Sequence, residues 1–136
     1  MSTVSLRIES TACAKAVSEI RSAIRTWLAS RRIAGEAAEE ILLAVSEAVT
    51  NSVEHAYPAT PPGLVIVSAE IVGADVLVVV ADHGQWREPV APEAAAVGIR
   101  GRGLNILRAL TTRLRIDHGT QDSPGTTVEA HFAIPA

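Results

Sequence analysis

The chain has 136 residues and a mass of 14.3 kDa, which suits a single domain spanning residues 1–136. Hydrophobic residues at 48% and charged residues at 20% support a packed core and exclude extensive disorder, and with only 3% aromatics that core must be built from Ala, Val, Ile and Leu. A net charge of −3 and a pI of about 5.8 lack the basic excess of proteins that bind nucleic acid through bulk charge, so no direct nucleic-acid contact is expected.

Val4 to Glu9 alternates apolar and polar residues and predicts a first strand. Ser10 or Thr11 is then the expected cap of a helix running to about Ser30, with Ala16, Val17, Ile20, Ile24, Trp27 and Leu28 at helical spacing. Two singular residues lie here. Cys13 is the one cysteine, so no intrachain disulfide forms; with no signal peptide in view, this suits a reducing cytoplasm. Lys15 is the only lysine among twelve basic residues. A P-loop needs a lysine directly after its glycines, and a protein-kinase fold needs one on its third strand. Lys15 fits neither place, so both of those nucleotide machines are excluded.

Gly35 marks a break, and a second helix is predicted from about Glu36 to Ala56, ended by Pro58. Leu64 to Val72 predicts a strand, Gly73-Ala74-Asp75 a tight turn, and Val76 to Ala81 the hairpin partner. This is the most apolar stretch, but Glu70 and Asp75 interrupt it, so it predicts two strands rather than a membrane span. Asp82 to Gly98 is a long connection without clear periodicity, a length that usually signals function. Gly103 to Leu110 has helical spacing, and Arg113 to His118 and Thr126 to Ile134 predict two closing strands. Strands in adjacent pairs point to a two-layer α/β sandwich, with a mixed, mostly antiparallel sheet and helices on one face.

Four groups of residues carry possible chemistry. Glu47, Asn51 and His55 recur every four residues and line one stripe of the second helix. A carboxylate there could accept a proton, and an Asn carbonyl is a ligand for a hard cation such as Mg²⁺. Spacing alone favours the plainer reading, a solvated helix face. Asp82-His83-Gly84 puts an acid and a glycine where an apolar strand exits: the acid could accept a hydrogen bond from a base amino group, and the glycine would admit a flat ligand, yet such turns are common. Gly98-Ile99-Arg100-Gly101-Arg102-Gly103-Leu104 precedes a helix, where exposed N–H groups and two arginines suit phosphate. Its glycine order and preceding long loop fail the context of a dinucleotide fingerprint. Thr126 heads a row with Val128, Ala130, Phe132 and Ile134 on the core-facing side of the last strand, near any ligand held between sheet and helices; strand propensity alone also explains a threonine there.

Taken in order, Glu47-x-x-x-Asn51, Asp82-x-Gly84, the Gly98–Gly103 loop and Gly125-Thr126-Thr127 resemble the GHKL ATPase superfamily. The run Ser46 to Tyr57 looks very like the N box of bacterial anti-sigma factors of the RsbW/SpoIIAB serine-kinase type, and Arg100 to Leu104 with Ile106 to Leu110 looks like that family's second glycine box. The resemblance covers roughly Val4 to Ile134. It implies a Bergerat fold holding ATP and Mg²⁺ between sheet and helices under a lid. By the same resemblance Asn51 would hold Mg²⁺, Glu47 would be the general base for a serine hydroxyl, Asp82 would read the adenine amino group, and Gly84 would belong to the same nucleotide site. Arg100, Gly101, Arg102, Gly103 and Leu104 would wrap the phosphates, with Arg102 at the γ-phosphate, and Thr126 would stand at the adenine end. The partners it implies are a STAS-type anti-sigma factor antagonist, which is phosphorylated, and a sigma factor, which is sequestered, commonly by a homodimer. Arg21 matches a partner-contacting arginine.

One departure stands out. Trp86 occupies the second glycine position of Asp82-His83-Gly84-Gln85-Trp86. ATP binding is still expected, but turnover is put in doubt, and the alternative is a nucleotide-gated partner-binding module with little or no kinase activity. The run Asp82 to Pro89 also resembles anti-sigma modules attached to phosphatases or other sensor domains, so the 136 residues could be one domain of a longer protein. A sensor histidine kinase would need a phosphoacceptor helix pair for which the chain has no room. A metal hydrolase using His55, His83, His118 and His131 lacks zincin spacing.

Overall fold

The structure, a computed structural model, describes residues 5–11, 13–53, 63–82, 106–119 and 124–134. The elements are β1 (Ser5–Thr11), α1 (Ala14–Ser30), α2 (Gly35–Asn51), β2 (Leu64–Val72), β3 (Asp75–Asp82), β4 (Arg113–Gly119) and β5 (Pro124–Ala133), with a further helical stretch at 106–110. The strands form one five-stranded sheet in the order β1-β2-β3-β5-β4, and all four pairings are antiparallel. The two-layer sandwich expected from the element order is the observed architecture, but the described sheet is wholly antiparallel rather than mixed, since every described neighbour pairs in the hairpin sense.

Alternation along β2 and β3 separates the two faces of the sheet. Val65, Val67 and Ala69 on β2, Val76, Val78 and Val80 on β3, and Val128, Ala130 and Phe132 on β5 are buried. They pack against Ile20, Ile24 and Leu28 of α1 and Ile41, Leu42, Val45 and Val49 of α2 in one core cluster. The core is almost wholly aliphatic, as the composition requires. The β2–β3 hairpin closes on Gly73 and Ala74, between the paired Val72 and Asp75. Gly73 has φ +60° and Ala74 does not share the positive φ, the pattern of a type II′ turn, which favours glycine at its first central position.

The entry of α1 differs from expectation, while α2 starts within a residue of its expected Glu36. Ser10 and Thr11 belong to β1, where they pair with Val65 and Leu64, and the Ser10 hydroxyl donates to Glu19. Cys13 takes the N-cap place of α1 and makes no side-chain cap bond. Sheet pairing of Ser10 and Thr11 has outweighed capping. The exit of α1 is a Schellman motif: Ile33 N–H donates to Leu28 O (2.9 Å) and Arg32 N–H to Ala29 O (3.0 Å). Arg32 therefore sits at φ 64°, a conformation usually given to glycine, while Ile33 and Leu28 are both buried in the core. Helix α2 runs regularly to Asn51 and then widens into a π turn at Ser52 and Val53; the expected continuation to Ala56 lies outside the described residues. Among the described residues no helix is long and apolar enough to cross a membrane.

Candidate functional site

The last turn of α2 meets the ends of β3 and β5, and three polar residues are buried there: Ser52, Asp82 and Thr126, each 6% exposed or less. Asp82 and Thr126 are direct partners in the β3–β5 ladder. The Thr126 N–H donates to Asp82 Oδ1 at 3.3 Å, and the Ser52 hydroxyl donates to Asp82 Oδ2 at 2.7 Å. The second bond has the length of a charge-assisted O–H···O⁻ contact. A buried carboxylate needs such donors, because an unpaired one is strongly penalised away from water.

The Thr126 hydroxyl is different. Its Oγ1 is buried and has no hydrogen-bond partner among the described residues. Buried polar atoms in native proteins are nearly always satisfied, so an orphan beside a carboxylate calls for a water or a ligand. The cluster therefore combines an acceptor-only carboxylate with a hydroxyl able to donate or accept. A flat group carrying an amino donor beside a ring-nitrogen acceptor matches that set, and the adenine edge is such a group. The side chains present fit an adenine nucleotide on this ground.

Directly before Ser52 α2 carries Asn51, and one turn earlier Glu47, both half-buried. They lie on the helix that delivers Ser52, so the base end and the expected phosphate end share one rigid element. Arg21 of α1 is part-exposed; its Nη1 donates to Ser46 Oγ (3.3 Å), and its Nη2 lies 3.9 Å from Glu39, which Arg25 also holds at 3.1 Å. Such surface ion pairs are worth little each, and they leave Arg21 accessible at the α1–α2 surface.

The structure thus brings Asp82 and Thr126 together with Ser52, and places Glu47 and Asn51 on the same helix as Ser52, α2. Gly84, Trp86, Arg100, Gly101, Arg102, Gly103, Leu104, His55 and His83 lie outside the described residues. Among the described residues no group of three or more His, Cys, Asp or Glu side chains could hold a metal ion. Ser52 was not expected as a site residue, since its spacing groups it with the small, buried face of α2. The available signal was a hydroxyl directly after Asn51 on a face otherwise made of Ile, Val and Ala.

Comparison with known proteins identifies the family of the chain. The profile of the histidine kinase-like ATPase domain matches residues 10–132, and the chain belongs to that family. Within the family it is of the RsbW/SpoIIAB anti-sigma factor type. An anti-sigma F factor of Pasteuria penetrans is 28% identical over 135 residues, covering 93% of this chain and 87% of the relative. An anti-sigma F factor of Anoxybacillus flavithermus is 33% identical over 97 residues, 66% of this chain and 65% of that protein. A crystal structure of the RsbU and RsbW domains of a Mycobacterium tuberculosis protein superposes with a TM-score of 0.76 at 32% identity and covers 98% of this chain; the chain spans about a third (34%) of that structure's length. A histidine kinase domain from Erythrobacter litoralis shares the fold, with a TM-score of 0.60 at 20% identity over 98% of this chain and 65% of its own.

Proposed function

We propose that the protein is an ATP-binding anti-sigma factor that phosphorylates a serine of a STAS-type antagonist and sequesters a sigma factor, as a cytoplasmic homodimer. The observation that carries the nucleotide part is the buried Ser52–Asp82–Thr126 cluster with its unsatisfied Thr126 hydroxyl. Asp82 accepts from the adenine amino group and Thr126 hydrogen-bonds the same base. Asn51 supplies an oxygen ligand for Mg²⁺, which when bound neutralises phosphate charge. Arg100, Gly101, Arg102, Gly103 and Leu104 close over the phosphates, with Arg102 at the γ-phosphate and Gly84 admitting the base. The relatives named anti-sigma F factor support the partner part, and half-exposed Arg21 is the proposed contact on the α1–α2 surface.

Glu47 is the general base. Its carboxylate takes the proton of the antagonist's serine hydroxyl while that oxygen bonds to the γ-phosphorus. The bond from phosphorus to the β–γ bridging oxygen breaks, and phosphoserine and ADP leave. The test is transfer of labelled phosphate from ATP to a STAS protein encoded beside a matching sigma factor. Glu47→Gln is expected to bind ATP as the wild type does and to lose about 10²- to 10⁴-fold in transfer rate. Transfer by that variant at the wild-type rate would remove Glu47 from the role. Trp86, in place of a glycine, favours a second reading: a nucleotide-gated binding module without useful transfer. Tight ATP binding with no transfer to any STAS partner, together with ATP-dependent capture of a sigma factor, would decide for it.

A further inference from the structure

The Ser52 hydroxyl lies at the junction of two functional segments. It belongs to the residue directly after Asn51, and it makes the shorter of the two hydrogen bonds described on Asp82, 2.7 Å against 3.3 Å from the Thr126 N–H. A carboxylate rotates readily about its last torsion, which has broad wells. The 3.3 Å bond from the Thr126 N–H holds one oxygen loosely. A second, short, charge-assisted bond to the other oxygen fixes the plane of the group. Each oxygen then has a donor among the described residues, Ser52 on one and Thr126 on the other, and the orientation of the group is held from both sides. The π turn at Ser52 and Val53 lies where the hydroxyl meets a strand thirty residues away in sequence, and π turns of this kind are frequent at functional sites.

We infer that Ser52 is a positioning residue for base selection: it orients the Asp82 carboxylate toward the 6-amino group of the purine and ties that orientation to the end of α2 that carries Asn51. The inference rests on the proposed nucleotide site and deepens it. Ser52 touches no ligand atom in this account. It acts through Asp82, so its removal erodes the discrimination that Asp82 makes more than it erodes binding in general.

The test compares ATP with purine riboside triphosphate, which lacks only the 6-amino group, by calorimetry in the presence of Mg²⁺. The wild type is expected to prefer ATP by at least about tenfold, the worth of one hydrogen bond to a charged acceptor. In Ser52→Ala that ratio is expected to fall by about tenfold toward unity, chiefly through weaker ATP binding. Ser52→Cys keeps a similar volume and a weak donor, so its ratio should fall between the two. Should Ser52→Ala fail to fold, the Cys variant decides. A reduced ratio supports the inference, and an unchanged ratio overturns it. If Ser52→Ala weakens both ligands equally, the hydroxyl serves only general stability, and the inference is overturned while the nucleotide site stands. A wild type that binds both ligands equally removes Asp82 as the reader of the amino group, and with it the role of Ser52. A wild type that binds neither overturns the nucleotide site itself.

Discussion

Replacing Asp82 separates what the buried cluster does for the fold from what it does for a ligand. Asp82 is 3% exposed and accepts from the Ser52 hydroxyl and the Thr126 N–H. In Asp82→Asn the amide oxygen can keep the Thr126 N–H, and the amide nitrogen can donate to Ser52, whose hydroxyl turns round to accept. The fold then exchanges a charge-assisted bond for a neutral one and the Ser52 hydroxyl hydrogen loses its acceptor on Asp82, at a cost of about 1–3 kcal/mol. The amino-group acceptor becomes neutral, so ATP affinity should drop by about 10- to 100-fold, the range for a hydrogen bond to a charged group. Asp82→Ala behaves differently. It takes the acceptor from the two described donors, Ser52 and the Thr126 N–H, each costing about 1–3 kcal/mol, so it should destabilise the protein by about 2–6 kcal/mol as well as abolish binding. Urea unfolding and ATP calorimetry on the same preparations read both effects. Equal stability for the Ala variant and the wild type, or wild-type ATP affinity in the Asn variant, would refute the reasoning.

Further expectations follow from single positions. Arg32 pays for its left-handed conformation, about 1–2 kcal/mol for a residue with a Cβ, while glycine gains some freedom in the unfolded chain; Arg32→Gly should therefore stabilise by about 0.5–1 kcal/mol, seen as a higher urea midpoint. Thr126→Val keeps the shape and removes a buried hydroxyl that has no partner among the described residues, so the free protein should be as stable or up to about 1 kcal/mol more stable, while ATP affinity falls about three- to tenfold. Unfolding curves with and without nucleotide distinguish the two effects; a loss of stability in the free protein would show that the hydroxyl has a structural task.

Much of the fold was legible because strand alternation and helical spacing are local signals. Leu64–Val72 alternates well enough for β2 to be read to the residue, and Thr126 heads a buried row as period two requires. The pairing of Asp82 with Thr126 was not legible from spacing, because it depends on β5 inserting between β3 and β4, a property of the whole sheet. Ser10 and Thr11 have the chemistry of helix caps, and only the register of β1 on β2 decides that they extend a strand instead. Ser52 escaped for a related reason: helical spacing puts it on the small, buried face of α2, and its hydroxyl acquires meaning only where the helix widens and meets the end of β3. The left-handed geometry of Arg32 follows from how Ile33 must turn back onto Leu28, a packing requirement with no local signal at Arg32 itself. The resemblance named Asp82, Thr126, Glu47 and Asn51 from their order alone; the structure pairs Asp82 with Thr126 and carries Glu47 and Asn51 on α2.

The central claim is a nucleotide site at the end of α2 and β3. Calorimetry of ATP binding with and without Mg²⁺, on the wild type and on Asn51→Ala, tests it most directly. The account predicts Mg²⁺-dependent binding by the wild type, and loss of that dependence together with at least about tenfold of affinity in Asn51→Ala. A wild type that binds no ATP under either condition would contradict it.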